Sequence, residues 1–269
     1  MIKEVKIKNI NEIMELISEQ RFDDRIGRYR SSFLYRGIHK SDYHLKTSLE
    51  RNCRDKQFNL EKSILRNFTK YAMSEDPEMD TSIWRQMIIG QHHGLPTRLL
   101  DWTYSPLMGL HFSIDEQSFN EIDENDSVVW KIDIEEMNSK LPKKYRKKLQ
   151  EEKAFLFTVD MLNELVKDID SYDEDMGIYS MVLIEPPSID QRIINQYSYF
   201  MLVPKGIKDI EEFFEQETEN TVKYIIPKEL KWRVRDFLDQ MNINERIVYP
   251  GLDGLSTWIK RHYYVKEEQ

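Results

Sequence analysis

QHHGLPTRLLDWTYSPLMGLHFSI, residues 91–114, changes character along its length. Gly94 and Pro96 punctuate a turn. Leu95, Leu99 and Leu100 are apolar enough to bury the segment around it. Ser105 followed by Pro106 is a helix start, because serine caps free N–H groups and proline suits the first helical position. An irregular stretch inside a domain must satisfy every backbone N–H and C=O. Thr97, Arg98 and Asp101 are the candidates to do so here.

Upstream, residues 9–19 place Ile10, Ile13, Met14 and Ile17 at helix spacing, with Asn9 as N-cap. SSFLYRGI, residues 31–38, is short, aromatic and stopped by Gly37, which predicts a strand. Residues 58–73 predict a second helix, with Leu60, Ile64, Phe68 and Tyr71 in register. Downstream, residues 128–133, 181–185, 197–203 and 222–227 are rich in β-branched and aromatic residues and predict strands. Residues 228–241 predict an amphipathic helix with Leu230, Val234, Phe237, Leu238 and Met241 inward, and the 249–264 stretch a turn and a last helix. Residues 134–176 are polar and helix-prone, an expected insertion. Met108, Phe112, Phe200 and Trp232 fit core faces. Helices first and strands later predict an α+β fold. The expectation is one mixed domain over residues 1–269, its helices around a central, mostly antiparallel sheet.

Composition narrows the function. The chain has 269 residues, 40% hydrophobic and 32% charged, with a net charge of −9 and one cysteine. An acidic chain is no generic nucleic-acid binder. Its basic run, Lys143–Lys148, reads as a solvated helix face. No stretch has the apolar length of a membrane span, and the charged N-terminus does not read as a signal peptide. A lone Cys53 excludes an internal disulfide and weakens any thiolate metal site. A cytoplasmic location is the expectation.

YRG at 35–37, QHHGLPTRLLDWT at 91–103, SPLMGLHFSI, RIINQYSYF at 192–200 and YPGLDGL at 249–255 together resemble the FRG-domain family, named for its Phe/Tyr-Arg-Gly motif. The resemblance runs from about Phe33 to about Trp258. It implies a toxin or phage-defence role. A more distant similarity is to ADP-ribosyltransferases of the Arg–Ser–Glu type. It implies an ADP-ribosyltransferase-like fold, NAD as cofactor, and transfer to a protein or nucleic-acid acceptor. On that similarity Tyr35, Arg36 and Gly37 form the first motif, with Arg36 gripping the NAD pyrophosphate or ribose. Thr103 and Ser105 stand for the second. Gln196 occupies the place of the catalytic Glu, and Glu185 is the other carboxylate near a predicted strand.

The residues themselves leave alternatives open. A guanidinium can hold a phosphate with two parallel bonds, but Arg36 can equally pair with an acid such as Asp101. His92 and His93 are adjacent, so they diverge and do not make a metal pair. His93 is the expected catalytic histidine. Gln91, His92, Thr97, Arg98, Asp101 and Trp102 are further cofactor-binding candidates, and Trp102 either stacks on a ligand ring or fills the core. Gln196 cannot act as a general base, and it offers an oxocarbenium-like state only a dipole. Three functions remain: an NAD-dependent transferase, a non-catalytic module binding a nucleotide, modified base or peptide terminus, and a nuclease or other hydrolase using a His and an Asp from 92–101.

Overall fold

The computed structural model describes residues 2–76, 78–116 and 118–266. Its strands are β1 Lys3–Lys6, β2 Arg21–Asp23, β3 Arg28–Arg30, β4 Phe33–Ile38, β5 Leu99–Thr103, β6 Ser127–Asp133, β7 Val182–Ile184, β8 Ser198–Leu202 and β9 Val222–Ile226. Seven of them form one sheet in the order β1-β9-β6-β4-β5-β8-β7, and β2 and β3 make a separate hairpin. Only β1 against β9 is parallel within that sheet. The expected α+β fold with a mostly antiparallel sheet is what the structure shows.

Helices cover both faces. On one, Ile210–Glu217 sets Phe213 and Phe214 against Leu34, Leu100, Trp102, Trp130 and Met201. The other face carries two clusters. Over β4, β6 and β9 lie the helices Ile10–Ser18, Pro106–Ser113 and Lys228–Gln240. Over β5, β8 and β7 lie Gln57–Ala72, Ile83–His92 and the helices between Lys143 and Met176.

Residues 134–176 form four helices, and their Tyr145, Phe157 and Tyr172 are fully buried. The basic run is a helix face, as expected. Lys147 and Lys148 pair with Glu151 and Glu152 one turn on, at 3.1 and 2.6 Å.

Three helices bury a face that differs from the expected one. Leu60 and Tyr71 are exposed, while Glu61 and Leu65 are buried. Glu61 goes inside because Arg98 waits there. In the Lys228–Gln240 helix, Val234 and Leu238 are buried as expected, but Met241 is exposed and Lys231 and Arg235 are inside. Met14 likewise faces out, with Leu16 taking its place.

The Tyr-Arg-Gly strand is held by close backbone packing. A methyl on Gly37 would lie 2.1 Å from the Gly109 carbonyl and 2.3 Å from the Ser113 nitrogen. A methyl on Gly109 would in turn lie 2.9 Å from the Tyr35 Cβ. The helix Pro106–Ser113 therefore lies directly on β4, at a distance only paired glycines allow.

Candidate functional site

The site is built around the end of the helix Ile83–His92. That helix stops in a Schellman motif: Gly94 is left-handed (φ 82), its N–H donates to Gln91 O at 3.0 Å, and Leu95 N–H donates to Gly90 O at 2.8 Å. The stop places Gln91, His92 and His93 on the rim above β5. Thr97 then closes the turn. Its hydroxyl donates to Gln91 Oε1 at 2.7 Å and accepts from Leu99 N–H at 3.1 Å, and its own N–H donates to Ser48 Oγ at 3.0 Å.

β4 and β5 share a single register pair, Tyr35↔Thr103, and then part. Arg36 fills the fork. By strand alternation it starts on the face of Leu34 and Ile38, and its Nη1 donates to the Asp101 carbonyl at 2.6 Å. That guanidinium takes the place a β4 N–H would hold in a continued ladder. The Asp101 carboxylate stands 3.6 Å from the same nitrogen and accepts from Gln91 Nε2 at 2.9 Å. The Arg36 side chain is 18% exposed and that of Asp101 56%. Burial lowers the Arg36 pKa, Asp101 opposes this, and nearby Arg51 adds to the lowering. Arg36 Nε is buried without a hydrogen-bond partner among the described residues.

Beside the fork, His92 Nε2 bonds the Asp190 carboxylate. An ionised Asp190 fixes the proton on Nε2 and leaves Nδ1 as an acceptor. Burial pushes the Asp190 carboxyl up, but the Ile193 N–H and His92 outweigh it and the pKa is lowered. His93 is exposed, its ring edge-on to His92 at 5.1 Å between centroids, and it is not bonded through its side chain among the described residues. Both histidines line a groove of about 1020 Å³, with Asp190, Arg192, Tyr249 and Gly251 across it. The Arg192 guanidinium lies over the Tyr249 ring at 5.5 Å, and the Tyr249 hydroxyl bonds Asp115.

Several expected site residues are elsewhere or already occupied. Arg98 is buried and engaged through all three nitrogens: it binds Glu61 through Nε and Nη2 at 2.7 and 2.5 Å and Asp173 through Nη1 at 2.5 Å. Burial alone would lower its pKa, but these carboxylates raise it. Trp102 is 3% exposed and edge-on to Phe214, so it is core. Thr103 donates to Gln196 O at 2.7 Å and accepts from Ser105 N–H, while Ser105 caps its helix through Met108 N–H. Tyr35 is buried, and Gly37 lies under the helix.

Gln196 is not on a strand. It ends the short helix Gln191–Asn195, and its buried amide donates to Val248 O at 3.1 Å. Glu185 is exposed just past β7, three strands from β4 and so about 14 Å away at ordinary strand spacing. Its N–H donates to Phe157 O. Arg36, Gln91 and Asp101 do converge. His92, rather than His93, is the ordered histidine. Asp190, Ser48 and Arg51 join the site from outside the motifs, and Arg192 and Tyr249 from motif stretches in which neither residue was singled out. Asp190 carried one signal: it is an Asp three residues ahead of Ile193, and it caps that helix.

No group of residues among those described is arranged to hold a metal ion, and no helix is long and apolar enough to cross a membrane.

The fold and fork define an α+β protein with a guanidinium-centred crevice at the parting of two central strands. Residues 31–121 match the family model of the FRG domain. The match takes in β4, the helix Ile83–His92, β5 and the helix Pro106–Ser113, and it ends before Asp190, Gln196 and Tyr249. No curated protein and no solved structure matches the chain.

Proposed function

We propose that the chain is a nucleotide-binding module, with Arg36 as its anion-binding residue and NAD as the leading candidate ligand. The observation that carries this reading is the contrast among its arginines. Arg98 and Arg261 each hold two carboxylates. Arg36 has a backbone carbonyl, one carboxylate at 3.6 Å and an unpartnered Nε, with the cation Arg51 nearby. A cation that is largely desolvated and short of partners is stabilised by an incoming anion, and a pyrophosphate meets a guanidinium fork with two parallel bonds.

Binding is better supported than transfer. Gln196 spends its amide on Val248 O, Glu185 stands at the outer strand, and Asp101 is the carboxylate left beside Arg36. A toxin or phage-defence effector that modifies a protein or nucleic acid would need that carboxylate to carry the oxocarbenium charge alone. Calorimetric titration with NAD, ADP-ribose and ATP tests the proposal. Saturable binding is expected, weakened roughly ten- to hundredfold by Arg36→Lys, which loses the fork geometry. No nicotinamide is expected to appear on long incubation. The absence of binding by any of the three ligands would sink the reading.

The His92–Asp190 pair favours a second reading, a metal-independent hydrolase with His92 Nδ1 as general base. A chromogenic phosphodiester and ester panel in EDTA then shows turnover that falls about 10²–10⁴-fold in His92→Gln. Turnover unchanged in His92→Gln and Asp190→Asn would exclude the pair as the base.

A further inference from the structure

A second cavity, of about 560 Å³, opens where the chain enters β4, and the reading above makes no use of it. The β2–β3 hairpin forms one wall, and Tyr104, Tyr199 and Phe155 form others. We propose that this cavity is a separate nucleotide site. A base would lie among Phe155, Tyr199 and Tyr104, and a phosphate on Arg30.

The walls are fixed. At the base of the hairpin, Arg21 bonds Asp133 at 2.6 Å, with its guanidinium 4.8 Å from the Phe33 ring. At the tip, Asp23 holds Arg25 through Nε and Nη2 at 3.0 and 2.8 Å, and that guanidinium lies over the Phe155 ring at 4.8 Å. Tyr104 donates to Ser31 O at 2.5 Å, which locks its ring 6.2 Å from that of Tyr199. Rigid aromatic walls are what a stacked base needs, and the volume lies within the range of small-molecule sites.

The cavity also has unspent polar groups. Arg21 and Arg25 are committed to carboxylates, but Arg30 makes no ion pair among the described residues; it adds to the lowering of the Asp23 pKa that Arg25 leads, and opposes the burial that raises the Tyr104 pKa. The Tyr199 hydroxyl makes no hydrogen bond among the described residues. Burial, then Glu185 and the neighbouring tyrosines, pushes its pKa up to about 12, so it remains a neutral donor. Asp24 on the rim supplies an acceptor for an exocyclic amine. A free cation, a free donor, an acceptor and aromatic walls together match a base carrying a phosphate. A plain apolar ligand would leave the polar groups unused.

Calorimetry on the full chain with AMP, adenosine, inorganic phosphate and a short 5′-phosphorylated oligoadenylate tests the site. AMP is expected to saturate and to bind more tightly than adenosine or phosphate. Phe155 and Arg30 are both exposed, so Phe155→Ala and Arg30→Gln should fold with unchanged melting temperature. Each should weaken AMP about tenfold, the scale of one stacked base or one charged contact. In an Arg36→Lys background AMP should still saturate and still weaken on Phe155→Ala and Arg30→Gln, which separates this cavity from the fork. Tighter, salt-sensitive oligonucleotide binding would identify a single strand as the source of the nucleotide, and equal affinity a free one; both sustain the site. Failure of AMP to saturate, or binding lost only in Arg36→Lys, overturns it.

Discussion

Arg98 and Arg36 carry the same guanidinium into opposite circumstances. Arg98 is 2% exposed and ringed by Glu61, Asp173 and the Phe58 face at 5.4 Å. It ties the helix Gln57–Ala72 to the start of β5, and no donor nitrogen is left for a ligand. Replacing it with Met leaves Glu61, itself buried, as an uncompensated charge. The expected cost is about 3–5 kcal/mol in urea denaturation, partly recovered by adding Glu61→Met. A loss well under about 1 kcal/mol, the scale of a surface pair, would contradict the buried-pair account. Both arginines belong to the motifs read from the sequence. Only their partners, supplied from far along the chain, separate the structural one from the binding candidate.

At the scale of elements, the sequence is most informative where local chemistry decides. Ser105-Pro106 announces a helix start, and Gly94 announces a stop; both hold because capping depends on immediate neighbours. The stretch LLDWT hid a central strand. Its Leu99, Leu100 and Trp102 are all buried, because helices cover both faces of the sheet there and alternation is lost. β1 was hidden for the opposite reason: KEVK is largely exposed and adds to β9 through its backbone. The helix Gln57–Ala72 misled because a buried Glu reads as a polar face until its arginine is known. The transferase similarity puts Gln196 at a strand position, beside the strand predicted over 197–203. The strand begins two residues later, after Tyr197 adopts a left-handed conformation (φ 47). The site shows the same division. Arg36, Gln91, Asp101 and Tyr249 lie in motifs, but which of them meet, and that Asp190 joins them, is set by tertiary packing.

For the whole molecule, buried ionisable groups tie stability to pH. His111 lies at the centre of the packing between the helices Pro106–Ser113 and Lys228–Gln240. It is 0% exposed, with Nδ1 facing Arg235 Nη1 at 2.8 Å. Burial, then Arg235 and Arg261, holds its pKa well below the ordinary 6.5. The folded state therefore keeps it neutral while the unfolded chain takes up a proton. Its contribution to stability is fully present above about pH 6.5 and is lost as pH falls toward the folded value. Asp115, which faces the ring at 3.9 Å, works the other way: burial raises its pKa, so protonation there favours the folded state at lower pH. The Asp115 window runs from its raised folded value down to 3.8, so it offsets part of the histidine's slope where the two overlap. Between about pH 6.5 and 5.5, stability should fall by up to about 1.4 kcal/mol per pH unit from this histidine alone. Urea midpoints taken across that interval read the slope directly. His111→Gln lowers stability at every pH by disturbing the Arg235 contact, so its absolute midpoint decides nothing. Its slope does: the variant should fall less steeply through the interval than the parent chain. An equal slope in both would place the acid sensitivity elsewhere in the molecule.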